Sequence, residues 1–269
     1  MIISASRRTD IPACHSEWLM NCIKEKFVCV KNPMNNQQVR KVNLAPEEVD
    51  CFVFWTKNPK PILDKIQYLS DYAFYFQFTL NPYDNDIEIG LPSKKELIET
   101  FQKLSDIIGC QRIIWRYDPI LLNKRYSIDY HIEKFMEYSE QLKDYTEKVI
   151  ISFIDFYKKI SQNIILHGII GITTEEKNIL AERFSKIAHE NNLIIETCAE
   201  DIDLSRYDIG HARCIDDRLI SKITGKNLLF KKDKNQRLEC GCVSSIDIGE
   251  YNSCSNGCVY CYANYSRNN

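Results

Sequence analysis

"CFVFWTKNPKPILDKIQYLSDYAFYFQFTL", residues 51–80, carries the argument for the fold. It begins on CFVFWT and closes on AFYFQFTL, two runs rich in aromatic and β-branched residues. Neither alternates apolar with polar, as a strand with one wet face would; a near-continuous apolar run belongs to a strand covered on both faces. Between them, residues 60–69 place apolar side chains at three- and four-residue spacing, which predicts a helix. Strand, helix and strand in that order predict a parallel sheet.

The unit recurs along the chain. MIISAS, RIIWRY, KVIISFI and LIIETC read as further covered strands, and residues 15–26, 93–108, 129–143, 174–191 and 214–224 carry helical periodicity. TTEEKNILAERFSKIAHENN, residues 173–192, shows it best, with a Thr cap, acids in the first turn and Asn after the last. PSKKELIETFQKLSDIIG, residues 92–109, has a Ser N-cap and a terminal Gly. Six alternations give an α/β fold. FVCVKNPMNNQQVRKVNL, residues 27–44, departs from it: two extended runs flank a turn, predicting a hairpin inserted after the first helix. No repeat or low-complexity linker interrupts residues 1–227, read as one domain. Residues 228–269 form a polar, glycine-containing tail without periodicity.

A formal net charge of -2 gives no electrostatic footprint for a polyanion, so nucleic acid is not indicated by charge. No stretch approaches the roughly 20 apolar residues that span a bilayer, and the expected location is the cytoplasm. Twelve cysteines in a reducing compartment point to metal sites or catalysis in place of disulfides. Cys22, Cys29 and Cys51 lie among apolar neighbours and read as small buried hydrophobes. The enrichment is in the tail, where Cys240, Cys242, Cys254, Cys258 and Cys261 crowd together.

In parallel sheets and barrels, ligands bind beyond the carboxyl ends of the strands. The loops there read SRRTD, WTKNP, FTLNPY, WRYDPI, SFIDFY and TCAED, each with a charge or a Pro-fixed turn. They direct Asp10, Lys57, Arg116, Asp118, Asp155 and Glu200 towards one mouth. Singly, such residues are caps or surface ion pairs; together, cations and carboxylates suit a zwitterionic cofactor or a small polar substrate. Asp10, Lys57 and Asp155 are candidate catalytic residues, and Lys57, Arg116 and Asp118 candidate cofactor ligands.

CSNGCVYCYAN, residues 254–264, spaces three cysteines C-x3-C-x2-C. Cys254, Cys258 and Cys261 suffice for three irons of a cubane, one fewer than the usual four ligands. Gly257 eases the tight loop, and Tyr260 can stack on a planar base. Cys240 and Cys242, with Cys198 and Cys214, are four further thiols able to close a zinc site or a second iron-sulfur cluster. His211 is a possible substitute for one of them, although a lone His beside a Gly is usually solvated or capping. A metal would pin a tail that has little hydrophobic means of holding its own fold.

CSNGCVYCYAN resembles the cluster motif of radical S-adenosylmethionine (SAM) enzymes, including the aromatics on either side of the third cysteine. The whole chain, from SASRRTDIP through FWTKNP, FYFQFTLNPY, IWRYDPI, ISFIDFY and DIGEYNSCSNGCVYCYAN, resembles the family known as domain of unknown function 1848. TKNP and RYDPI are more weakly similar to the spore photoproduct lyase branch. The resemblance implies a partial (β/α)6 TIM-like barrel with the tail folded over the carboxyl ends of its strands. It also implies a [4Fe-4S] cluster on Cys254, Cys258 and Cys261, SAM with Tyr260 near its adenine, and an electron donor such as flavodoxin or ferredoxin. The implied chemistry is reductive cleavage of SAM to a 5′-deoxyadenosyl radical that abstracts hydrogen from a substrate. In the superfamily the motif follows the first strand; here it comes last, and the usual glycine-rich segment for the SAM amino group is not evident. The residues also allow two other readings: a zinc-binding module on Cys240, Cys242, Cys258 and Cys261, and a nucleic-acid repair or modification protein using Arg7, Arg8 and FKKDKNQR. The radical reading predicts that the three thiolates converge over the strand ends near Lys57 and Arg116.

Overall fold

The computed structural model describes residues 1–264. In chain order the elements are β1 (Ile2–Ala5), α1 (Ile11–Cys14), α2 (Ser16–Glu25), β2 (Phe27–Asn32), β3 (Asn35–Asn43), β4 (Cys51–Thr56), a 3-10 segment (Lys60–Leu69), β5 (Phe74–Thr79), α3 (Lys94–Ile108), β6 (Ile113–Ile120), α4 (Ile128–Leu142), β7 (Lys148–Phe153), α5 (Ser161–Leu166), α6 (Thr174–Glu190), β8 (Ile194–Thr197), β9 (Gly210–His211), α7 (Asp217–Thr224) and β10 (Ile246–Asp247).

Among the described residues, eight strands form one parallel sheet in the order β10-β1-β4-β5-β6-β7-β8-β9, and β2 and β3 pair separately as the expected hairpin. The six apolar runs supply its centre in unbroken chain order, with none of the reversal that marks a doubly wound sheet. β10 and β9 are its two edges, so the sheet is open.

Side chains alternate across a strand, so each strand feeds two layers. One layer holds Ile3, Phe52, Phe54, Phe76, Phe78, Trp115, Tyr117 and Ile151 against Leu19 of α2, Ile62 of the 3-10 segment, Phe101 of α3, Phe135 of α4 and Phe184 of α6. The other holds Ile2, Val53, Tyr75, Ile114 and Ile150 against Ile215, Ile220 of α7, Cys240, Cys242 and Val243. Long helices thus cover one face, and α7 with the tail covers the other.

Three elements differ from the sequence pattern. The helix expected over residues 15–26 starts earlier and breaks at His15, because the Asp10 carboxylate caps α1 by accepting from Ala13 N at 3.0 Å and α2 restarts at Ser16. Residues 60–69 wind as a 3-10 helix; Pro61 brings no N–H to its first turn. α5 has six residues, too few to show a period.

The tail joins the sheet through one carboxylate. Asp247 accepts from Ser4 Oγ (2.8 Å), Ser6 Oγ (2.6 Å), Arg7 N (2.9 Å) and Gly249 N (3.0 Å), which sets β10 against β1. Gly249 is required there, since a Cβ would lie 2.0 Å from Ser6 Oγ. The chain leaves β10 beside the carboxyl end of β1, heading for the loops at the strand ends.

Candidate functional site

A cavity of about 470 Å³ opens at the carboxyl ends of the strands. Asp10, Lys57, Arg116, Asp118, Asp155 and Glu200 all line it, as do Cys198, Cys214, Cys240, Cys242, Cys254, Cys258, Cys261 and Tyr260. Its volume falls within the range of about 300–1,000 Å³ usual for small-molecule sites. A wider groove of about 820 Å³ runs beside it, between Trp18 of α2, Lys31 of the hairpin and Tyr251 of the tail, and shares Arg8, Thr9, Tyr157 and Tyr262 with it.

The cysteine loop is held down from several sides. Cys258 bridges Glu88 in antiparallel fashion, Val259 N donates to Ile87 O (2.9 Å), and Gly90 N donates to Asn256 O (2.9 Å). His15 Nε2 donates to Ser253 O (2.9 Å), and Tyr262 Oη donates to Arg7 O (2.8 Å). Gly257 takes the turn at a φ of 64°, a left-handed conformation that glycine adopts without steric cost.

Asp10 is buried and links three strand-end segments. It accepts from Ala13 N, from Lys57 N (2.7 Å) and from Asn256 Nδ2 (3.0 Å) of the cysteine loop. Burial lifts its pKa to about 6 against the pull of those donors. Lys57 Nζ donates to Glu88 Oε1 (2.8 Å) and Tyr260 Oη (2.7 Å). Glu88 also takes Lys94 Nζ (2.5 Å) and the Tyr260 hydroxyl. Burial opposes ionisation of this carboxyl, yet Lys57 and Lys94 together hold its pKa down at about 2. The Tyr260 ring lines the cavity and meets Tyr83 edge-on at 6.0 Å, while burial raises its phenol well above the ordinary value.

Arg116 projects from the inner face of β6. It donates through Nε to Asp118 Oδ2 (2.9 Å) and through Nη1 to Cys214 Sγ (2.9 Å) and Gln77 Oε1 (3.3 Å). Asp118 also accepts from Ser152 Oγ. Burial works against its charge, but Arg116 outweighs it and lowers the pKa. Asp155 sits at the rim, half-exposed, with Arg237 and Tyr157 as partners. Glu200 is buried, accepting from Phe153 N (2.8 Å) and pairing with Lys177 at 3.4 Å. His211 lies exposed on β9, outside this lining.

The thiols fall into two neighbourhoods. Cys258 faces Lys57, Glu88 and Cys261; burial pushes its pKa up to about 12, with Lys57 pulling the other way. Cys254 shares a hydrogen bond with Cys14, which lowers the Cys14 thiol and, with burial, raises the Cys254 thiol. Cys240 and Cys242 instead neighbour Cys214 and Cys198, with Cys198 Sγ and Cys214 Sγ 3.3 Å apart. The pairing of Cys240 and Cys242 with Cys258 and Cys261 that spacing allows is therefore not the grouping that the fold makes. Among the described residues, no three His, Cys, Asp or Glu side chains already close around a metal position.

Glu88, Lys94, Asn256 and Cys14 belong to the site and were not singled out in the sequence. Glu88 sits in a non-periodic loop, NPYDNDIEIG, where nothing but its burial distinguishes it from a surface acid. Cys14 stands alone in the sequence, and only the fold brings it to Cys254.

The family model described as Domain of unknown function (DUF1848) matches residues 2–263. No curated protein and no solved structure matches the chain.

Proposed function

The chain belongs to the DUF1848 family, and from that premise we propose that it is a radical SAM-type iron-sulfur enzyme built on a partial (β/α) barrel. The observation that carries the reading is the lining of one cavity: the three thiols of the C-x3-C-x2-C motif share it with Lys57, Arg116, Asp118 and Tyr260.

The residues fit the groups they would receive. Three cysteines from one loop are a donor set for an iron-sulfur cluster with one iron left without a protein thiolate. Thr9 Oγ1 and Arg7 Nη2 are buried without a hydrogen-bond partner, and both residues line the cavity, which leaves donors for a polar ligand. When bound, the cluster and SAM would supply reductive cleavage to a 5′-deoxyadenosyl radical for hydrogen abstraction; the protein orients the groups and excludes competing reactions.

Lys57 would act as a fixed cation beside Cys258, held by Glu88 and Tyr260. Asp118, kept ionised by Arg116, would accept from an ammonium group. Substrate would enter through the adjoining groove, and a small electron donor such as flavodoxin or ferredoxin would dock nearby. Motif order fits the same reading: β10 is an edge strand next to β1, so a loop that follows the last strand in the chain still follows an edge strand in space. All twelve cysteines are unpaired, which suits the reducing cytoplasm. No helix among the described residues is long and apolar enough to cross a membrane.

The test is anaerobic reconstitution followed by SAM and a strong reductant. The expected result is about four irons per chain and 5′-deoxyadenosine formation, both lost in Cys258→Ala. A folded chain that binds no iron would overturn the reading.

A further inference from the structure

Four thiols form a second group in the same cavity as the terminal motif, on the inner face of the sheet. Cys198 directly follows β8, Cys214 lies between β9 and α7, and Cys240 and Cys242 come from the tail crossing that face. Cys198 Sγ is 3.3 Å from Cys214 Sγ, and Cys242 lies within hydrogen-bonding reach of both Cys214 and Cys240. Cys214, Cys240 and Cys242 are 4%, 7% and 2% exposed.

Packing together four thiols from three chain segments, three of them buried, gains little by itself, because thiols are weak hydrogen-bond partners. Hydrogen-bond donors and cations face the sulfurs. Arg116 Nη1 donates to Cys214 Sγ at 2.9 Å, and Ile215 N–H donates to Cys242 Sγ at 3.3 Å. The Arg7 guanidinium lies near Cys242, Cys214 and Cys240. Four thiolates around a divalent ion leave two negative charges, and these two arginines, which also face Asp118 and Asp233, offset part of them. Donors to ligating sulfur of this kind orient and tune metal sites.

We propose that Cys198, Cys214, Cys240 and Cys242 form a separate site for one zinc ion. The spacing selects a single ion over a cubane. Zinc–sulfur bonds of about 2.3 Å set tetrahedral sulfurs about 3.8 Å apart, near the contact already made by Cys198 and Cys214, whereas the ligands of a four-iron cluster stand well beyond that. Cys198 and Cys214 are already in contact, with Cys242 beside Cys214 and Cys240 beside Cys242, so binding would draw the four sulfurs into a tetrahedron. The ion would tie the tail to the ends of β8 and β9, where the tail has no regular structure of its own.

This site does not depend on the iron-sulfur reading, and one preparation separates the two. Zinc and iron are measured on the full chain purified without oxygen and reconstituted. One zinc per chain is expected in the wild type and in Cys258→Ala, and loss of it in Cys214→Ala and in Cys242→Ala, while Cys240→His retains it. Because the alanine variants can fail to fold, cobalt is also added to the metal-stripped wild type, where it should give the absorption bands of tetrahedral thiolate-bound cobalt, displaced by zinc. A wild-type chain that holds no zinc and shows no such bands overturns the proposal, as does loss of iron in place of zinc in folded Cys242→Ala. Absence of iron with zinc retained would instead count against the radical SAM reading alone.

Discussion

On its helix-covered face the sheet presents Phe52, Phe54, Phe76, Trp115 and Tyr117; on the opposite face it presents Ser4, Gln77, Arg116 and Ser152 towards the carboxyl ends of its strands. The first face is closed by four long helices, the second by α7 and a tail held through thiols, one carboxylate and loop hydrogen bonds. Aromatic burial stabilises without choosing a ligand, about 1.5–3 kcal/mol for each large side chain. Buried charges and thiols do the reverse: they cost solvation, and they fix which groups the cavity can accept. The comparison predicts that substitutions on the helical face unfold the protein, while those on the inner face change chemistry or pH behaviour first.

The largest effect tests the helical face. Phe135 of α4 is fully buried, stacked on Phe184 at 4.0 Å and on Trp115 at 5.1 Å. Phe135→Ala should cost about 3–5 kcal/mol, read as a lowered urea midpoint with an unchanged denaturant slope. A loss below 1 kcal/mol would mean that this layer is not what holds the fold.

The two faces also differ in how readily they show in the sequence. Six central strands are legible because strands covered on both sides need apolar residues at every position, and CFVFWT and RIIWRY satisfy that demand locally. The edge strands Gly210–His211 and Ile246–Asp247 are illegible, because two residues carry no period; the second is placed by the hydrogen bonds of Asp247, formed with residues about 240 positions away. Strand-end charges were legible as a set, since each follows an apolar run. Glu88 was not, since its importance comes from Lys57, Lys94 and Tyr260 meeting it across the fold. The thiols could be counted in the sequence, but their division into two groups required the tail's path over the inner face.

Glu88→Gln tests the charged side of the comparison. Its pKa in the folded protein, about 2, lies below the ordinary 4.5. A group depressed in this way contributes stability that is fully present above the unfolded value and is lost as pH falls through the folded one, a window from about 4.5 down to about 2. The gap corresponds to on the order of 3 kcal/mol. Glu88→Gln should therefore be less stable than wild type by that amount at pH 7, with the difference shrinking as the pH is lowered towards 2. Equal losses at pH 7 and pH 3 would assign the effect to packing instead of charge.

The smallest effect separates rim from interior. Asp155 was grouped by sequence with Asp10 and Lys57, yet it pairs with Arg237 at the cavity edge, with the two side chains 46% and 45% exposed. Solvent screens such a pair, and exposed ion pairs contribute about 0–1 kcal/mol. Asp155→Asn should leave the unfolding midpoint nearly unchanged, with any residual difference vanishing in high salt. A rim carboxylate that matters to the chemistry must therefore reveal itself in turnover and not in stability: loss of 5′-deoxyadenosine formation in a variant of wild-type stability would move Asp155 from the rim into the working set, and retained formation would leave it a gatepost at the groove.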